Sequence, residues 1–252
     1  MTEQLAVAVL GANGRMGAEA VRAVEAAADL KLVAALGRSD SLDILVDAGA
    51  GIVVDLTVPG STEANVAFAV EHGIHAVVGT TGWDAEKLGR LEELLAGQPG
   101  VGVLIAPNFA LGSVLASAFA AKASRYFESV EIIELHHPDK VDAPSGTAVR
   151  TAQLISAERA AANLPASPDA TTSERPGARG CDVDGVRVHS VRLRGLVAHQ
   201  EVLLGGPGEQ LTFRHDSFER ASFMPGVLLG VRNVAANPGL TVGLDGYLDL
   251  GL

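Results

Sequence analysis

Short apolar runs alternate with helical stretches along the first 109 residues. Leu5–Leu10 is followed by a helical pattern over Arg15–Ala28, then by the run Leu32–Ala35; Ile52–Leu56 is followed by a helix over Ser61–His72; Ala76–Val78 by a helix over Asp84–Leu95; and Val101–Ala106 closes the series. A unit of roughly 25 to 30 residues repeating in this way predicts a parallel sheet wrapped by helices. A short helix over Ser41–Ala48 fits the same rhythm without a good cap.

From Ala110 the texture changes. An Ala-rich helix (Leu111–Phe127), a strand (Val130–Leu135) and a second helix (Thr147–Ala162) are followed by a stretch, Asn163–Gly185, with too many Pro and Gly residues for a regular element. Val186–Leu193, Val197–Leu204 and Gln210–His215 then read as strands of an antiparallel meander, Phe223–Ala235 as a closing helix and Leu240–Leu244 as a final strand. In that closing helix Phe223, Val227, Leu228, Val231 and Val234 form a helical stripe suited to core packing. The expectation is an α/β chain with an N-terminal Rossmann-like parallel sheet and a second α+β domain holding a mixed or antiparallel sheet.

Composition narrows the function. A chain of 252 residues with 48% hydrophobic content can bury one large core or two modest ones. A formal charge of -11 without a Lys/Arg run argues against nucleic acid or an anionic membrane as partner. The single cysteine, Cys181, excludes an internal disulfide framework and a Cys-based zinc cluster, and fits a reducing compartment. Leu5–Leu10 is too short for a secretory core and no run approaches ~18 apolar residues, so a cytoplasmic location is expected.

Two segments bring chemistry. Gly11-Ala12-Asn13-Gly14-Arg15-Met16-Gly17 joins the first strand to the first helix, where glycines let a pyrophosphate approach and the helix start offers free N–H groups. Its Gly-x-x-Gly-x-x-Gly spacing departs from the usual Gly-x-Gly-x-x-Gly, so its place after the first strand is what favours a dinucleotide over a plain turn. The second strand ends in Gly37-Arg38-Ser39 with no carboxylate for a ribose 2′-hydroxyl. Arg38, helped by Arg15, suits a 2′-phosphate instead, which predicts NADPH over NADH. The later strand ends, Asp55–Pro59, Gly79-Thr80-Thr81-Gly82 and Ala106-Pro107-Asn108-Phe109, are small, polar or Gly/Pro-bearing and could line a flat ring.

The second segment, Glu134-Leu135-His136-His137-Pro138-Asp139-Lys140-Val141-Asp142-Ala143-Pro144-Ser145-Gly146-Thr147-Ala148, holds two imidazoles, an ammonium and a helix start. Ser145 or its neighbour caps the helix, whose free N–H groups can hold a carboxylate, while Lys140 adds charge or a proton, and imidazole is the side chain whose unperturbed titration falls near neutral pH. The plainer reading is a strand end, a turn and a cap. A metal is not expected, because the His pair lacks a third ligand at zinc spacing.

These segments, in this order and with Pro176-Gly177-Ala178-Arg179-Gly180, resemble the 4-hydroxy-tetrahydrodipicolinate reductases, also called dihydrodipicolinate reductases, of bacterial diaminopimelate and lysine synthesis. The resemblance spans nearly the whole chain. It implies that NADPH or NADH hands a hydride to a cyclic dicarboxylate imine formed by loss of water. It implies His136 as proton donor/acceptor, Lys140 as proton donor, and His137, Gly146 and Thr147 as substrate carboxylate ligands, with Ser145 beside them. It implies cofactor contacts at Gly11, Ala12, Asn13, Gly14, Arg15, Met16, Arg38, Gly79, Thr80, Thr81, Ala106, Pro107, Asn108 and Phe109. It further implies a dinucleotide domain over 1–109, a substrate and oligomerisation domain over 110–219, a segment 220–252 returning to the first domain, and a homotetramer built through the second sheet. The chain departs from many relatives at Asp139, where a basic pair is common, and at Gly37, where an acidic residue is common. A different amino-acid dehydrogenase, or a dinucleotide sensor without turnover, would share the first domain but not the second segment.

Overall fold

Branched aliphatic residues build the strands and amphipathic stretches the helices of the computed structural model, which describes residues 4–248. The chain opens with β1 (Leu5–Leu10), α1 (Arg15–Ala26), β2 (Leu30–Leu36), α2 (Asp43–Asp47), β3 (Ile52–Asp55), α3 (Thr62–Glu71), β4 (His75–Val78), α4 (Ala85–Ala96) and β5 (Gly102–Ile105). It continues with α5 (Leu111–Ala123), β6 (Ser129–His136), α6 (Gly146–Ala161), β7 (Cys181–Val183), β8 (Val186–Arg192), β9 (Ala198–Gly206) and β10 (Glu209–Ser217), and closes with α7 (Met224–Asn233) and β11 (Gly239–Val242). Two units result: one from the chain up to Ala110 with the segment from Arg220, the other from Leu111–Glu219.

The sheet of the first unit runs β11-β5-β4-β3-β1-β2, all parallel. Every residue of β3 and β5 is buried, as expected where helices cover both faces of a parallel sheet. Strand order reverses between β1 and β3, the switch point at which open α/β sheets bind ligands beyond the strand ends. Helix α1 stops two residues short of the predicted Ala28, because Ala27 turns extended and Leu30, only 3% exposed, starts β2 early. In α7, Val227 and Val231 are buried as the stripe predicts, with Val234 just beyond its end.

The second sheet runs β10-β9-β6-β8-β7. The predicted antiparallel meander over β8, β9 and β10 is therefore wrong in one pairing. β8 lies parallel to β6, because α6 carries the chain back over the sheet, and β9 pairs with the opposite edge of β6. The short β8–β9 connection consequently passes the end of β6, where the Leu193 N–H donates to the His136 carbonyl at 3.1 Å. The Pro/Gly-rich stretch also contains a strand that was not expected. Val183 pairs with Val186, and Asp184 (φ 51°) with Gly185 (φ 85°) makes the two-residue turn typical of a hairpin.

Alternation on β6 sends Val130, Ile132 and Glu134 to the face covered by α5 and α6, where Val186, Val188, Val202 and Leu204 meet Ala120, Ala148, Ala152 and Ile155. Fully burying each of the larger side chains stabilises the unit by roughly 1.5 to 3 kcal/mol. The apolar series ends at Glu134 and His136, so the same face changes from core to polar site within four residues of Ile132.

Candidate active site

The β1–α1 turn is shaped by contacts that only glycine permits. Gly11 has φ +76°, and a Cβ there would stand 2.6 Å from the Leu56 carbonyl oxygen. A Cβ on Gly17 would stand 2.0 Å from the Gly11 carbonyl oxygen, so α1 starts against the end of β1. Gly14 is the N-cap and brings no side-chain acceptor to the first turn. The N–H groups of Arg15, Met16 and Gly17 are thus open toward an anion at the positive end of the helix, which fits a dinucleotide pyrophosphate.

The next strand end seats polar groups. A Cβ on Gly37 would stand 2.5 Å from Asn13 Nδ2, and the Gly37 N–H donates to Asp40 Oδ2 at 2.7 Å. A carboxylate therefore does stand at the end of β2, folded back from a position just past the segment read in the sequence. Arg38 and Arg15 are exposed beside the turn.

Asp55 ends β3 with no solvent exposure. Its carboxylate accepts from the Thr57 N–H (2.9 Å), the Thr57 hydroxyl (2.6 Å), Asn65 Nδ2 (3.0 Å) and the Thr80 hydroxyl (3.0 Å). This network ties the ends of β3 and β4 together. It turns the Thr80 hydroxyl inward, leaving its backbone for any ligand, while Thr81 is exposed. Gly79 is kept small by Leu56 and by the Phe109 ring, each 2.7 Å from where its Cβ would be. Ala106 and Phe109 are core residues, Pro107 is exposed, and Asn108 Oδ1 accepts from the Ala110 N–H at 2.9 Å.

In the second unit β6 ends at His136, and a turn closed by the Lys140 N–H on the His137 carbonyl at 3.2 Å brings both imidazoles and Lys140 into one segment. His136 Nδ1 lies 2.6 Å from Glu134 Oε2. His137 Nδ1 is buried without a hydrogen-bond partner among the described residues, a group that a ligand oxygen could satisfy. Lys140 Nζ donates to Asp142 Oδ1 at 2.7 Å. Burial raises the Asp142 carboxyl, but that bond, the lysine charge and backbone N–H groups, Gly146 among them, hold it below its ordinary value. Asp139 is exposed.

Ser145 is the N-cap of α6, its hydroxyl accepting from the Ala148 N–H at 3.2 Å. Gly146 and Thr147 occupy the first helical positions, and nothing lies within 4 Å of where a Gly146 Cβ would stand. Beneath them is Glu134, fully buried. Arg192 donates to both of its oxygens at 2.8 Å and to the Asp142 carbonyl at 2.7 Å, and the Ser145 N–H donates to Oε1 at 3.2 Å. Burial raises the Glu134 carboxyl, but hydrogen bonds from His136, Arg192 and Ser190 outweigh it and hold the carboxyl at about 2.

Sequence reasoning assigned no role of its own to Glu134, Arg192 or Asp40, and read Asp55 only as part of a strand end that could line a flat ring. Of the first three, only Glu134 left a local trace, two residues before His136 and so on the same face of a strand. Arg192 reaches the segment through β-pairing with His136, and no local pattern encodes that. Among the described residues no cluster of three His, Cys, Asp or Glu side chains could hold a metal ion, and no helix is long and apolar enough to cross a membrane.

A parallel sheet with a glycine turn at its switch point, followed by a mixed-sheet unit that carries His136, His137 and Lys140 beside a helix start, fits the class of two-unit dinucleotide-dependent oxidoreductases. Family models described as dihydrodipicolinate reductase, N-terminus and C-terminus, match residues 5–109 and 112–248. The chain belongs to the dihydrodipicolinate reductase family. It is 66% identical to the 4-hydroxy-tetrahydrodipicolinate reductase of Streptomyces griseus, over 98% of this chain and 99% of that one. It is 61% identical to the protein of the same name from Nocardia farcinica, over 97% and 98%. The solved structure of dipicolinate-bound dihydrodipicolinate reductase from Paenisporosarcina sp. TG-14 matches with a TM-score of 0.85 at 37% identity, covering 97% of this chain and all of that one.

Proposed function

We propose that the chain reduces 4-hydroxy-tetrahydrodipicolinate to tetrahydrodipicolinate with loss of water, the step its relatives are named for in diaminopimelate and lysine synthesis. The observation that carries this reading is identity of 66% over 98% of the chain, with the whole His136–Thr147 segment present. One water leaves the hydroxylated ring, and the resulting cyclic imine takes up one hydride and one proton. A reduced nicotinamide bound by the first unit supplies the hydride. The Gly11–Met16 turn would hold its pyrophosphate, and the backbone at Gly79–Thr81 and Ala106–Phe109 would line the ring.

In the second unit His136 exchanges a proton at Nε2 and Lys140 donates one. The Gly146 and Thr147 N–H groups and His137 hold substrate carboxylate, supported by the open space at Gly146 and the unpartnered His137 nitrogen. Asp142, paired with Lys140 and with the Gly146 N–H, gives up both when the substrate dianion arrives. NADPH is preferred over NADH because Arg38 and Arg15 can meet a 2′-phosphate, with the Asp40 carboxylate, held at Gly37, opposing that preference. Titration of both cofactors tests this, and equal affinities would overturn it. The second sheet's face away from α5 and α6 presents half-buried Ile133, Leu135, Val191 and Leu203, which supports a homotetramer formed through that face; a monomer in sedimentation experiments would refute the assembly.

The activity is tested by coupling the protein to a synthase that makes the substrate from pyruvate and aspartate semialdehyde, and following cofactor oxidation. No oxidation would sink the reading and favour a dinucleotide sensor. His136→Gln lowers kcat by about 10²-fold or more with little change in KM, because proton transfer assists only in the transition state. Lys140→Ala impairs both kcat and KM. Wild-type kinetics in either variant would refute its role.

A further inference from the structure

We propose that Glu134 is the positioning residue for His136: it fixes which ring nitrogen carries the proton and ties the imidazole to the helix start that holds the substrate. The inference rests on the assignment of His136 above.

Glu134 and His136 stand two residues apart on β6 and project from the same face, so the strand itself brings carboxylate and ring together. Oε2 lies 2.6 Å from His136 Nδ1. Because Glu134 is fully buried and held ionised, it can only accept hydrogen bonds, and Nδ1 must carry hydrogen. In the neutral ring Nε2 is then bare, ready to take a proton and to return it.

Each Glu134 oxygen meets at least two donors, and Ser190 adds a further hydrogen bond to the carboxylate. Oε2 meets His136 and Arg192, while Oε1 meets Arg192 and the Ser145 N–H at 3.2 Å. The guanidinium fork prevents the carboxylate from rotating and offsets its charge, so the imidazole is oriented without facing an uncompensated anion. Ser145 caps α6, and the Gly146 and Thr147 N–H groups follow directly. One carboxylate therefore sets the spacing between the proton-transfer ring and the carboxylate-holding helix end. Arg192 extends the frame by donating to the Asp142 carbonyl at 2.7 Å, which fixes the segment bearing Lys140. The arrangement follows the general logic of a base oriented by a buried carboxylate.

The test is nitrogen-15 NMR of the ring nitrogens in the full-length protein, with kinetics of Glu134→Gln and Arg192→Lys. The wild-type His136 ring, in its neutral form, is expected to be protonated at Nδ1; protonation at Nε2 would overturn the proposal. Glu134→Gln is expected to mix the two tautomers and to lower kcat by about 10²-fold, with cofactor KM within about threefold of wild type. A purely structural role predicts the wild-type tautomer and a loss confined to the folded fraction, and that result also overturns the proposal. Arg192→Lys keeps the carboxylate and should retain the Nδ1 proton, which supplies a readout should Glu134→Gln fail to fold; loss of that tautomer in Arg192→Lys would show that Glu134 does not fix it. His136→Gln separates the two readings: if it is impaired while Glu134→Gln turns over like wild type, only the positioning role fails. If His136→Gln itself is fully active, the assignment of His136 fails instead.

Discussion

The third glycine of the dinucleotide turn allows a direct test of why that turn needs its spacing. In Gly17→Ala the new Cβ would stand 2.0 Å from the Gly11 carbonyl oxygen, 2.6 Å from its carbon and 2.9 Å from the Ala12 Cα. All three are backbone atoms at the end of a central strand and cannot swing aside. A carbon–oxygen contact relaxes to about 3.3 Å, so the start of α1 has to move away from β1 by more than ~1 Å. Hydrogen bonds from the Arg15 and Met16 N–H groups to a pyrophosphate would stretch from ~2.9 Å to about 4 Å, beyond useful length. Losing two such bonds at about 1.5 kcal/mol each predicts a loss near 3 kcal/mol, or about 10²-fold in Kd. The overpacked contact also destabilises the first unit by about 1 to 3 kcal/mol. Fluorescence titration with NADPH and NADH reads the first effect and thermal unfolding the second. Gly89→Ala is the control, since a Cβ there, within α4, meets nothing within 4 Å and should stabilise by roughly 0.5 to 1 kcal/mol. Wild-type affinity for both dinucleotides in Gly17→Ala would refute the close-packing argument.

Other outcomes follow from single features. Because the Glu134 carboxyl is held at about 2 against an ordinary 4.5, it contributes stability that is fully present above pH ~4.5 and lost as pH falls toward ~2, about 3 kcal/mol in all. Urea denaturation at several pH values should show wild type losing more stability than Glu134→Gln across that window, and parallel curves would refute it. Asp55→Ala leaves the donors of Thr57, Asn65 and Thr80 without their acceptor, which should cost about 3 kcal/mol and weaken cofactor binding; an unchanged melting temperature would contradict the network's importance. Gly185→Ala meets no atom within 4 Å, so its cost is purely that of φ +85°, about 1 to 2 kcal/mol, with kcat unchanged. A loss below half that in urea unfolding would argue against the hairpin.

Local pattern carried most of the first unit. Its strands are near-continuous apolar runs because helices cover both faces, and its glycine turn stands where the first run stops, so periodicity and punctuation suffice to read it. The dense His136–Thr147 segment was equally legible, because its chemistry lies in consecutive residues. The Asp184-Gly185 hairpin was missed: a two-residue turn with both φ values positive favours that dipeptide, but the surrounding Pro and Gly residues masked it.

What the chain by itself determined, then, was most of the order of elements, the glycine turn and the segment whose groups are proposed to handle protons and carboxylate. Tertiary structure alone decided which groups complete them. The insertion of β6 between β8 and β9 replaced the expected meander and placed Arg192 opposite His136. The folding back of Asp40 onto Gly37, and the turning of Thr80 into the Asp55 network, reassigned side chains whose local sequence suggested otherwise. For the β6 insertion and the turning of Thr80 the physical reason is the same. Strand pairing and burial of a carboxylate join residues far apart in the chain, 58 positions for Glu134 and Arg192, and no short-range period records which partner a buried charge will find.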